Sequence, residues 1–149
     1  FKGLSVYMLF EGQKGGNIYN FTRQWAFRDH ASPEDNQGDK KDSKKKPTLY
    51  YDDLYDVSAP NSHFVEDASY LKLQELAIRY DLNLSRLGFN NRVTLGVIGR
   101  NLMTWSDYLG YDPDVGASNN DGGSAVIARF DGYQYPNFRT LTFTLEVEI

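Results

Sequence analysis

The final residues of the chain, Phe138-Arg139-Thr140-Leu141-Thr142-Phe143-Thr144-Leu145-Glu146-Val147-Glu148-Ile149, alternate in character from residue 140 onward without interruption. Successive side chains of an extended chain point to opposite sides. Leu141, Phe143, Leu145, Val147 and Ile149 therefore share one face, and Thr140, Thr142, Thr144, Glu146 and Glu148 share the other. No Gly or Pro breaks the pattern, so residues 138–149 read as one long two-faced β-strand.

Three more stretches carry the same signature. Residues 2–13 place Leu4, Val6, Met8 and Phe10 on one face. Residues 92–105 place Val93, Leu95, Val97, Gly99, Met103 and Trp105 on one face and Arg92, Thr94, Gly96, Ile98 and Arg100 on the other. In residues 70–82 the apolar phase changes, from Leu71 and Leu73 to Leu76, Ile78, Tyr80 and Leu82. One extra residue, a β-bulge near Gln74 and Glu75, produces such a change. The apolar faces carry no charge, whereas Glu11, Lys72, Arg79, Asp81, Arg92, Arg100, Glu146 and Glu148 all fit the opposite faces.

A lipid-facing surface requires this segregation, because a basic residue at the bilayer midplane costs ~2–4 kcal/mol. The core of a soluble sandwich requires something similar, so the connections decide between them. Residues 14–69 and 106–137 are long and residues 83–91 are short, with Gly88, Asn90 and Asn91 as turn formers. Outer-membrane barrels alternate long extracellular loops with short periplasmic turns. Structureless loops beyond ~15 residues are uncommon in compact soluble domains. A strand of roughly ten residues, rising ~3.3 Å per residue and tilted ~40°, also spans the ~25 Å apolar band of such a barrel. The expectation is all-β: an antiparallel transmembrane β-barrel segment with 14–69 and 106–137 extracellular, 83–91 periplasmic and the final strand running inward.

Aromatics make up 15% of the chain, eleven of them Tyr, which suits a boundary between an apolar layer and water. Trp105, Tyr108 and Tyr111 leave the third strand, and Tyr133, Tyr135 and Phe138 lead into the fourth. They read either as a girdle or as a small core under the second long connection. Cys is absent, which excludes a disulfide scaffold and a thiolate metal site. A net charge of −4 argues against a nucleic-acid-binding face. No apolar run reaches the ~18 residues of a membrane helix. With no initiator Met or signal peptide, and alternation already under way at Leu4, the chain reads as a piece of a longer polypeptide.

Within the long connections, Asn17 to Phe27 reads as either a strand extension or a short helix. The lysine-rich run Asp39 to Lys46 reads as a solvated loop tip. The acidic and aromatic Tyr50 to Asp56 reads as a packed loop, with sugar stacking as the alternative. His30 and His63 lack metal-ligand spacing and read as solvated loop residues. Asp112-Pro113-Asp114, with Asp121 and Asp131, lacks the Gly and terminal Glu of a calcium loop and reads as a turn in which Asp112 caps the backbone. No nucleophile elbow or triad is present, so neither an enzyme nor a cofactor is expected.

Four segments together resemble the C-terminal end of SusC/RagA-type TonB-dependent outer-membrane transporters. They are Tyr70-Leu71-Lys72-Leu73-Gln74-Glu75-Leu76, Gly99-Arg100-Asn101-Leu102-Met103-Thr104-Trp105, Gly110-Tyr111-Asp112-Pro113-Asp114 and Tyr135-Pro136-Asn137-Phe138-Arg139-Thr140-Leu141-Thr142-Phe143. The opening Gly3-Leu4-Ser5-Val6 through Gly12, followed by Asn17-Ile18-Tyr19-Asn20, resembles the strand and loop before them. The resemblance implies the last four strands of a roughly 22-stranded outer-membrane barrel. It further implies an N-terminal plug, coupling to TonB, and import of oligosaccharides or peptides captured by a SusD-like surface lipoprotein. One departure is the terminal Ile149, where outer-membrane proteins commonly end on an aromatic. On this reading Trp105, Tyr108 and Tyr111 are candidates to stack on ligand or lid. The alternative from another class is a secreted soluble β-sandwich that binds glycans, and a third reading is a TonB-independent diffusion porin.

Overall fold

The computed structural model describes residues 3–83, 92–114 and 129–148. In chain order they form β1 (Leu4–Gln13), β2 (Asn17–Asn20), α1 (Phe21–Arg28), α2 (Leu49–Tyr55), β3 (Val65–Asp67), β4 (Tyr70–Asn83), β5 (Arg92–Trp105), β6 (Phe130–Asp131) and β7 (Thr140–Glu148). The chain divides into a sheet unit, drawn from residues 1–13, 70–106 and 137–149, and a loop unit, drawn from 14–69 and 107–136.

β1, β4, β5 and β7 coincide with the four alternating stretches and make one antiparallel sheet in the order β1-β4-β5-β7. Directly paired residues in a sheet share a face. Rows such as Val6–Ile78–Val97–Phe143 and Leu4–Tyr80–Leu95–Leu145 therefore lie on one side, and Ser5–Arg79–Gly96–Thr144 on the other. The expected bulge is present. Leu9 pairs with Glu75 and Phe10 with Leu73, leaving Gln74 as the extra residue. Leu71 and Leu73 thereby reach the same face as Leu76, Ile78 and Tyr80. On β5 the shift is absorbed at Asn101, which has a φ of 53° and whose side-chain amide donates to the Phe138 carbonyl at 3.0 Å. Gly96 is required by close approach, since a Cβ there would lie 2.3 Å from Thr144 Oγ1.

The loop unit corrects the expectation of structureless connections. β2 pairs antiparallel with β3 and parallel with β6. α1 begins where the Asn20 side chain accepts the Arg23 N–H at 2.9 Å, an N-cap. It directs Gln24 and Phe27, three residues apart, inward. α2 buries Tyr51 and Leu54 at the same spacing. Phe27, Tyr51, Leu54 and Phe64 form one core, with Tyr19 and Tyr55 against it, and Ile18, Ala68 and Tyr108 form a second. Asn17 to Phe27 is not an extension of β1 but a short strand of a second sheet followed by the helix α1, and the packed Tyr50–Asp56 segment is largely α2. The turn formers Gly88, Asn90 and Asn91 lie outside the described residues, as do Asp121 and Ile149.

Candidate functional site

The sheet has two chemically opposite faces. On the apolar face Phe143 is 76% exposed and Leu141 and Leu145 are 66% exposed, while Val6, Met8 and Phe10 are each more than half exposed. No charged residue of the described strands lies on that face. Several charges on the polar face are partnered. Arg100 Nε donates to Glu75 Oε2 at 2.8 Å, and Thr94 Oγ1 donates to Asp81 Oδ1 at 2.8 Å. Glu11 accepts from the Tyr70 hydroxyl at 3.0 Å and from the Gln74 amide at 2.7 Å. Lys72, paired in register with Glu11, is buried with its ammonium 5.0 Å from the Tyr70 ring centre. The outward edges of β1 and β7 pair with no described strand.

The loop unit is organised around Arg23. Its guanidinium makes a two-pronged bond to Glu34, with Nε donating to Oε1 at 2.7 Å, and Nη1 donates to Glu66 Oε1 at 3.1 Å. The same cation lies 5.5 Å from the Phe27 ring and 5.6 Å from the Phe64 ring. The hydrogen bonds from Arg23 hold the Glu34 carboxyl below its ordinary range. Burial, and then the adjacent Arg23, lower the pKa of His63, whose Nε2 sits 3.2 Å from Arg23 Nη2. His63 packs edge-on against Phe27 and Phe64 and so is a half-buried wall residue rather than a solvated one. His30 is exposed, at 3.3 Å from Asp35.

The three expected ligand contacts have different fates. Trp105 ends β5, pairs with Leu71 and is exposed. Tyr111 is exposed in the loop unit. Tyr108 is only 7% exposed, and its hydroxyl donates to the buried Asp131 carboxylate. Burial first, and that hydrogen bond second, raise its phenol pKa far above the ordinary value. Tyr108 is therefore a residue of the small core it forms with Ile18 and Ala68, one of the two readings its sequence allows. Asp112 accepts the Asp114 N–H at 3.1 Å, the local turn that its sequence suggests.

Two groupings escape sequence reading. Phe21, Trp25, Phe130 and Tyr133 form an aromatic patch, with Phe21 5.0 Å from Phe130 and Trp25 6.2 Å from Tyr133. Only the Phe21/Trp25 helical spacing could have signalled it. The second is a cavity of about 250 Å³ lined by Lys40, Lys44, Lys46, Tyr50, Tyr51 and His63 together with Phe27, Glu34 and Leu54.

No family model matches the chain. TonB-dependent receptor P26 of Formosa agariphila is 27% identical across 99% of the chain, and P39 of the same organism is 30% identical across 72%. The RagAB peptide importer in its closed-closed state superposes with a TM-score of 0.59 at 25% identity, again over 99% of the chain. This chain is a relative of the TonB-dependent receptors. The similarity to TonB-dependent receptor P26 and to the RagAB chain runs through both the sheet unit and the loop unit. The chain spans 16% of the length of each. Among the described residues no helix is long and apolar enough to cross a membrane, which leaves crossing by strands untouched.

Proposed function

We propose that β1, β4, β5 and β7 are adjacent staves of a TonB-dependent outer-membrane barrel that imports oligosaccharides or peptides. In this reading residues 14–69 and 106–137 stand on the cell exterior and 83–91 on the periplasmic side. A SusD-like surface lipoprotein hands ligand to the barrel, and a plug elsewhere in the protein couples release to TonB. One observation carries the reading: a charge-free face across four strands, with large apolar side chains exposed on every strand, between two edges that pair with no described strand. Water penalises so much contiguous apolar surface, and open strand edges invite pairing. Hydrocarbon on the face and further strands on the edges remove both penalties. A soluble sandwich would set a second layer over Leu141, Phe143 and Leu145, and all three are exposed.

Trp105 and Tyr111, both exposed, remain the candidates for contact with ligand or lid. Deleting the full-length gene in the native organism tests the reading. Growth on one class of oligosaccharide or peptide as sole nutrient should be lost, with the wild-type protein recovered from the outer-membrane fraction. Unchanged growth on every such nutrient, or recovery from the soluble fraction, would refute it.

A further inference from the structure

The lysine run is solvated, as its sequence suggests, with Lys41 to Lys46 all exposed, but it is tethered at both ends. Gln37 ties both of its ends: its carbonyl accepts the Lys40 N–H at 3.3 Å, and its side-chain oxygen accepts the Lys46 N–H at 3.0 Å. The Gln37 amide donates to the Tyr51 hydroxyl at 2.7 Å, fastening the loop to the core on α2. A short helical turn at Asp42–Lys44 closes the loop. Lys40, Lys44 and Lys46 all line the cavity of about 250 Å³, whereas Lys45 is engaged outside it by Asp42 at 2.8 Å.

The charges around this cavity are not balanced from within. The carboxylate of Glu34 in its wall is occupied by Arg23. Lys44 and Lys46 have no ion-pair partner among the described residues. The Lys46 ammonium lies 5.4 Å from the ring of Tyr50, which is itself 45% exposed and stands edge-on to Tyr51. Lys40, Lys44, Lys46 and the exposed Tyr50 ring thus line one cavity, with the Lys40 ammonium donating to the Glu34 carbonyl, in a chain whose net charge is −4.

We propose that this cavity seats the anionic group of an acidic oligosaccharide, a sulfate or carboxylate on a sugar ring, with the Tyr50 ring as its stacking platform. The proposal rests on the importer reading and names its substrate class. Ammonium groups attract either anion as point charges, and an aromatic face suits the apolar side of a pyranose. A sugar fits better than an acidic peptide. The lining residues lie on α1, α2, two short helical turns and loops, so no strand edge is offered to an extended backbone.

The test uses the full-length transporter in detergent, with calorimetric titration at low salt of four probes: a sulfated hexasaccharide, a uronate hexasaccharide, an uncharged hexasaccharide and hexaglutamate. At least one acidic sugar should bind, with affinity that falls as salt rises. Lys44→Gln/Lys46→Gln should weaken it by about tenfold or more. Lys41→Gln/Lys45→Gln, an equal charge loss outside the cavity, should cost less than about twofold. Tyr50→Ala should weaken the sugar without changing the fold, as circular dichroism would check. Equal losses in the two lysine pairs, equal binding of the uncharged sugar, or binding of hexaglutamate alone would overturn the proposal. A protein that sits in the outer membrane and imports a neutral sugar or peptide, yet binds no acidic sugar, defeats this site only. A protein absent from the outer membrane defeats the importer reading beneath it.

Discussion

Arg23 shows how one side chain holds a module with little core. Its side chain is 12% exposed and faces Glu34 and Glu66 at once. Arg23→Met would leave both carboxylates without their cation, a loss of about 3 kcal/mol. Hydrogen exchange should show it as reduced protection in α1 and residues 61–66, with β4 and β5 unchanged. Acid should act at the same point. His63 has a lowered pKa in the folded state, so its contribution is present above its ordinary value of 6.5 and is lost as pH falls through the lower folded value. The lowered Glu34 pKa extends the loss, present above 4.5 and removed as pH falls through its own folded value. Protection factors in α1 should therefore be constant above about pH 7 and decline progressively in acid. His63→Asn should flatten the first part of that decline. At this scale sequence reading succeeds where partners are local. The Asp112 turn is legible because its acceptor and donor are two residues apart. Tyr108 takes the second of its two readings, a small core, but its partner Asp131 was not legible because it lies 23 residues away in sequence.

The long strands were legible because alternation over ten to fourteen residues has no competing explanation. Even the bulge at Gln74 was written in the phase change between Leu73 and Leu76. α1 was legible only as one of two alternatives and α2 only as a packed loop, since eight and seven residues make barely two turns. Their inward pairs, Gln24/Phe27 and Tyr51/Leu54, need tertiary partners to acquire meaning. Two substitutions probe the strands. Gly96→Val places carbon where Thr144 Oγ1 already sits and should destabilise β5–β7 pairing by about 1–3 kcal/mol, with Thr144→Ala restoring part of it. Phe143→Arg should cost ~2–4 kcal/mol in a bilayer, whereas Thr142→Arg one residue away should be near neutral. Urea unfolding of the full-length protein from lipid vesicles measures all of these.

At the scale of the molecule, long and short connections alternate around a sheet whose neighbours in space are also successive long strands of the chain. That up-and-down order is the simplest antiparallel arrangement able to continue into a closed barrel. The likeness to TonB-dependent receptors spans the same elements. What sequence could not convey is that the long connections fold into a unit with its own cores, because those contacts join segments far apart in the chain. The central claim is that the apolar face meets hydrocarbon. Nitroxide labels at Thr142→Cys and Phe143→Cys, in the full-length transporter reconstituted in bilayers, test it directly through relaxation by oxygen and by a water-soluble nickel chelate. The account predicts oxygen-dominated relaxation at 143 and nickel-dominated or shielded relaxation at 142. Strong nickel relaxation at 143, or no difference between the two positions, would contradict it.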